Sequence, residues 1–151
     1  MRGRDNLEKH IGHILTNGLV QSFHLNGEVV SVIIVTFLKF NNEWIRIVCT
    51  DEQTTIGIET DDLDMLYFYG DKEVYYPLTP IEKIFPDFVK YKNKQLKGFK
   101  ELVSVKTEFF SFGVNFYFDN DLNFIIRNHD YPVDENEYIF ENKVPAELRE
   151  K

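Results

Sequence analysis

The segment from Val29 to Phe40 constrains this chain more than any other. Along an extended backbone alternate side chains point to opposite faces. That places Val30, Val32, Ile34 and Leu38 on one side and Val29, Ile33, Val35 and Phe37 on the other. Both faces are apolar, so the spacing predicts a central strand covered on both sides. A chain carrying such a strand must build a sheet and supply the layers that cover it.

The rest of the apolar fraction agrees. The chain holds thirteen Val, thirteen Ile, fourteen Phe and eight Tyr against a single alanine, Ala146. β-Branched and aromatic side chains suit a pleated surface, whereas alanine is the best helix former. Twelve Asn accompany them, as a coding bias toward such residues would produce. A bias explains abundance but not alternation, and alternation recurs. Leu19–Leu25 reads as a first strand ended by the turn pair Asn26-Gly27. After Asn41-Asn42, Trp44–Thr50 alternates Ile45, Ile47 and Cys49 with Trp44, Arg46 and Val48, and Thr54–Glu59 follows. These segments predict an antiparallel meander. Further on, Leu102–Phe109 alternates again. Val114, Phe116 and Phe118 turn at Asp119-Asn120-Asp121 into Leu122, Phe124 and Ile126, and Tyr138–Phe140 predicts an edge strand.

Two helices are expected. Leu7, Ile11, Ile14 and Leu15 form an apolar stripe over Asn6–Leu15, with Asn17-Gly18 as its stop. Thr79-Pro80-Ile81-Glu82 looks like a capped helix start, limited to one or two turns by Pro86. Lys90–Lys100 reads as a basic connector, Asp61–Asp64 as an acidic loop, Leu66–Tyr69 and Val74–Leu78 as short aromatic strands or turns, and the tail from Asn142 as frayed. No repeat or linker divides the 151 residues. The expectation is one α+β domain over 1–151, mostly antiparallel sheet, with an N-terminal helix and a short central one.

No catalytic signature emerges, and the chain is not expected to be an enzyme or to carry a cofactor or metal. Cys49 falls on the inward register of its strand and reads as a small buried hydrophobe; being the only cysteine, it forms no internal disulfide. His10 and His13, three apart, have a spacing that two metal ligands can share, but no third ligand accompanies them, and solvent-exposed helix histidines are the better reading. His24 and His129 stand alone, and His129-Asp130 would point to opposite faces of a strand. Asp119–Asn123 opens like a calcium loop, yet Phe124 stands where glycine is needed, so a hairpin turn is expected. Nowhere do glycines gather into a phosphate cradle.

Charge is the informative feature. Net charge is −8, from 25 acids against 17 bases. That balance argues against nucleic acid or an anionic membrane as partner. The longest mostly apolar run, Val29–Leu38, is half of the about 20 residues that a membrane helix needs. With no secretory leader visible at the basic start, a soluble cytoplasmic protein is expected. The acids gather in two lysine-free segments. The first contains Asp51, Glu52, Glu59, Asp61, Asp62 and Asp64, followed by Tyr67, Phe68 and Tyr69. The second, Asp119–Glu141, contains Asp130, Asp134, Glu135 and Glu137 with Tyr131 and Tyr138, and its one base is Arg127. By contrast Lys90, Lys92, Lys94, Lys97 and Lys100 form an acid-free stretch; beside Phe88, Tyr91 and Phe99 it could touch single-stranded nucleic acid, a poor fit to the overall charge. Acidic loops with interleaved tyrosines suit docking of a basic protein, charge speeding encounter and rings supplying anchoring area.

Size, acidity, layout and the Tyr131–Tyr138 segment resemble the immunity proteins of bacterial polymorphic-toxin and contact-dependent-inhibition systems. The resemblance implies a stoichiometric inhibitor covering a basic toxin domain, such as a nuclease. The expected contact residues are then Asp51, Glu52, Glu59, Asp61, Asp62, Asp64, Tyr67, Asp130, Tyr131, Asp134, Glu135, Glu137 and Tyr138. The alternative is a small-molecule-binding or enzymatic β-rich domain with an aromatic-lined cavity.

Overall fold

The computed structural model describes residues 1–50, 52–60, 63, 73–129, 132–141 and 143–151. The molecule is mostly antiparallel sheet, and its helices are minor. The long strands are β1 (Ile14–Leu25), β2 (Glu28–Phe40), β3 (Glu43–Cys49), β4 (Thr54–Glu59), β7 (Lys94–Ser104), β8 (Ser111–Phe118) and β9 (Asn123–Asn128). Shorter ones are β5 (Val74–Tyr75), β6 (Leu78–Pro80), β10 (Asn136–Ile139) and β11 (Leu148–Glu150). Their main order is β10-β9-β8-β7-β1-β2-β3-β4, with β5 and β6 pairing β1 and β11 pairing β7.

The expected meander forms, with Thr36 opposite Ile47 and Ile47 opposite Ile56. Asn26 (φ 53°) and Gly27 (φ 84°) make the tight turn between β1 and β2, and Asn120 and Asp121, also at positive φ, turn β8 into β9. This sheet folds over on itself. Thr54 Oγ1 donates to the Ser111 carbonyl at 3.2 Å, and Asn136 Nδ2 donates to the Ile33 carbonyl at 3.0 Å. Each end of the strand order is thereby drawn onto the opposite half. Aromatic side chains fill the space between: Phe88, Tyr91, Phe116 and Phe124 are fully buried. Tyr91 donates its hydroxyl to the Asn123 carbonyl at 2.6 Å, which satisfies the one polar atom that this ring carries inward.

Several expectations change. The N-terminal helix, α1 (Arg4–Glu8), is a bit more than one turn long, and Ile14 and Leu15 already belong to β1. The helix ends at Glu8, a turn carries the chain through Gly12 at φ 92° into β1, and Ile11 is left exposed. Gly18 does not stop a helix. It lies within β1, where an added Cβ would sit 2.5 Å from Phe88 Cζ and 2.9 Å from Ile81 Cδ1. Those side chains come from α2 (Ile81–Ile84) and the 3₁₀ helix Pro86–Tyr91, which close over the strand. Thr79 belongs to β6, and α2 has no side-chain cap.

β2 is covered less than its sequence suggests. Ile33 and Thr36–Leu38 are buried, but Val29, Val30 and Val32 are exposed. Register shifts against β1 near Phe23 and His24 turn that half away from the core. Most of the basic connector is strand β7. An irregularity between Leu96 and Gly98 hides its alternation, so Leu96 and Phe99 point inward while Lys97 and Lys100 face solvent. The tail is not frayed at its end either: β11 pairs β7, and Leu148 packs on Leu102, Phe112 and Ile125. Among the described residues no helix is long and apolar enough to cross a membrane.

Candidate functional site

Arg127 lies in β9 and His129 directly follows the strand's last residue, Asn128, so the two side chains are two residues apart and fall on one side of the extended chain. β10 sets Glu137 directly opposite Arg127. Arg127 Nε donates to Glu137 Oε2 at 2.8 Å, Nη1 donates to Glu147 Oε1, and Nη2 lies 3.1 Å from the His129 ring nitrogens. His129 Nε2 in turn lies 3.0 Å from Glu137 Oε2. The Arg127 side chain is 8% exposed, whereas Glu137 and Glu147 are 44% and 61% exposed. A buried guanidinium needs carboxylate partners, and here it fixes two carboxylates at the surface. Its hydrogen bond to Glu147 holds that carboxyl below the usual range.

Beside this cluster is a cavity of about 240 Å³, lined by Ser104, Lys106, Phe112, Arg127, His129 and Leu148, among others. The loop between β7 and β8 borders it. Ser104 Oγ accepts a hydrogen bond from the Lys106 amide at 3.1 Å and bends the chain outward. There Phe109 is 94% exposed, and Val105 and Phe110 are exposed beside it. An ion pair between Glu108 and Arg149 ties the loop to β11. The sequence predicts strand through Phe109, whereas β7 ends at Ser104. Neighbouring Phe109 and Phe110 break the alternation, which was the available sign that the strand ends earlier.

The expected contact residues divide. Asp134 and Glu135 are exposed and lie beside the cluster: Asn128 Nδ2 donates to Asp134 Oδ1 at 3.1 Å, and the His129 amide donates to the Glu135 carbonyl at 2.8 Å. Glu137 belongs to it directly. Glu52 is exposed, its carbonyl accepting from the Ser111 amide at 3.0 Å. Glu59 lies at the far end of β4, ion-paired with Arg46 at 3.1 Å. Tyr138 is an inward residue of β10, 7% exposed, and shares a 2.6 Å hydrogen bond with the Thr36 hydroxyl across the core. Its ring therefore offers no surface for anchoring. Asp51, Asp61, Asp62, Asp64, Tyr67, Asp130 and Tyr131 lie outside the described residues, as do the acidic loop Asp61–Asp64 apart from Leu63 and the stretch Leu66–Tyr69.

Sequence reasoning noted Arg127 only as the single base of its segment. It missed Glu147 and Phe109. The legible signal was the pattern Arg127-x-His129 facing a strand that carries Glu137. Cys49 is buried as expected, and burial pushes its thiol up to about 12, which keeps it protonated and non-nucleophilic. Comparison of the chain with protein-family models, with curated proteins and with solved structures finds no match.

Proposed function

We propose that this chain is a stoichiometric protein-binding inhibitor of the toxin–immunity type, acting in the bacterial cytoplasm and covering a basic toxin domain. The observation that carries the reading is Phe109, held 94% exposed on a tethered loop next to the Arg127 carboxylate cluster. Burying a phenylalanine side chain is worth about 1.5–3 kcal/mol, which Phe109 can offer to a partner. An exposed ring on the loop that carries Glu108, with the surface carboxylates Glu137 and Glu147 in the neighbouring Arg127 cluster, supplies an anchor beside groups that a basic partner can meet. Asp51, Glu52, Glu59, Asp61, Asp62, Asp64 and Tyr67 form a second acidic segment of the proposed contact, and Asp130 and Tyr131 extend the first.

The alternative, a small-molecule site within an aromatic-lined interior, has less support. Phe88, Tyr91, Phe116, Phe124, Tyr138 and Phe140 pack against one another where such a ligand would sit. The test is affinity capture from the source cells followed by binding measurements with the purified partner. A basic protein should bind in equimolar amount, with an association rate that falls as salt rises. Phe109→Ala should retain the wild-type melting temperature and weaken binding by about 30-fold, the effect of losing a 2 kcal/mol hot spot. A salt-insensitive complex with unchanged affinity in Phe109→Ala overturns the reading.

A further inference from the structure

Away from that surface, His10 and His13 occupy the turn between α1 and β1, and the backbone around them is pinned. The His13 amide donates to the His10 carbonyl at 2.9 Å, the Gly12 amide to the Leu96 carbonyl at 2.7 Å, and the Leu96 amide to the His13 carbonyl at 2.9 Å. Gln95 Nε2 donates to the Gly12 carbonyl at 2.7 Å. His10 is 2% exposed and stacks on Phe40 with ring centroids 5.7 Å apart. His13 is half-buried. The two Nδ1 atoms face each other at 3.1 Å. Both cannot carry a proton at that distance, so at least one lone pair points into the gap.

Two imidazole nitrogens at zinc-ligand distance, about 2.0–2.1 Å from the ion, lie about 2.9 Å apart at a right angle and about 3.3 Å apart at a tetrahedral one. The observed 3.1 Å falls between. On the far side of the His10 ring, Nε2 lies 2.8 Å from Glu43 Oε2, although the carboxylate sits off the N–H axis. A carboxylate at the outer nitrogen is how proteins orient metal-binding histidines. We propose that His10 and His13 chelate a divalent transition-metal ion of the zinc class through their Nδ1 atoms, with Glu43 orienting His10. Among the described residues no group of three or more His, Cys, Asp or Glu side chains assembles. The remaining coordination positions would therefore be filled by water or an external donor, and imidazole donors favour zinc, nickel or copper over magnesium or calcium.

The experiment is a calorimetric titration of the chelator-treated full chain with zinc chloride, paired with nitrogen-15 spectra of the histidine rings. One equivalent should bind, and the Nδ1 resonances of His10 and His13 should be the ones that move. His13→Gln, chosen because the buried His10 stays in place, should fold normally and weaken binding by more than about tenfold, since even outer-shell partners are worth that. Glu43→Gln should weaken it less, and His24→Gln and His129→Gln should leave it unchanged. If zinc fails to bind in equimolar amount, binds equally well to His13→Gln, or shifts the Nε2 resonances instead, the two rings are a hydrogen-bonded pair and the proposal falls.

Discussion

Replacing Phe124 by alanine probes whether the interior is a filled core or a binding chamber. Phe124 is fully buried on β9. Its ring centroid lies 5.2 Å from that of Tyr138, 5.3 Å from Phe140, 5.5 Å from Phe88, 5.6 Å from Tyr91 and 6.3 Å from Phe116. Truncating a buried phenylalanine costs about 3–5 kcal/mol, transfer and residual cavity together. Aromatic pairs add about 0.5–1.5 kcal/mol each beyond burial, which points to the upper part of that range. The site cannot readily collapse, because its walls come from β8, β10 and the 3₁₀ helix, each held by its own hydrogen bonds. Domains this size hold about 5–15 kcal/mol in total, so the variant should fold but marginally. With a urea slope of about 2 kcal/mol per molar, the midpoint should fall by about 1.5–2.5 M. Trp44, the single tryptophan and 6% exposed, reports the transition by fluorescence, and circular dichroism should superimpose on it. Phe124→Leu should cost less. A shift below about 0.5 M would mean that the rings enclose slack space, and the small-molecule alternative would gain at the expense of the inhibitor reading.

Two further outcomes follow from titratable groups. Cys49 is 5% exposed with its thiol pushed up to about 12, so a disulfide reagent at mildly alkaline pH should react only as fast as the protein opens; immediate reaction in native buffer would contradict its burial. Glu147 is held below the usual carboxyl range by Arg127 in the folded state. A depressed folded value means that its stabilisation is present above the unfolded carboxyl value of about 4.3 and is lost as pH falls through the folded one. Urea midpoints across acidic pH should therefore decline less steeply in Glu147→Gln than in wild type. The difference should be small, because Glu147 is mostly exposed and solvent screens it; superimposable profiles would show that the ion pair contributes nothing.

Much of the sheet was legible because its signals are local. The alternation in β3, β4, β8 and β9, the Asn26-Gly27 turn and the Asp119–Asp121 turn each depend on a few neighbouring residues. Where a bulge interrupts alternation, as between Leu96 and Gly98, the same signal fails and a strand passes for a connector. Leu7, Ile11, Ile14 and Leu15 misled in the opposite sense: a helical spacing arose by chance across the turn that follows Glu8, where Gly12 takes a positive φ and the chain passes into β1. The acidic second segment was readable as charge, but not the division of its members into an outward Glu137 and an inward Tyr138. That division depends on which side of β10 meets β2.

The sequence by itself determined that this chain builds an antiparallel, aromatic-rich sheet, since β-branched alternation and two-residue turns act within a hairpin. Tertiary structure alone decided what the sheet does with its polar residues. Arg127 meets Glu147 only because β11 returns along β7, and Tyr138 finds Thr36, 102 residues away, only because the sheet folds over. His10 meets His13 because β7 pins Gly12, and Phe109 stands out because β7 ends at Ser104. Each of these depends on closing long loops of chain. The free energy of closure comes from the whole buried core rather than from the residues that it brings together.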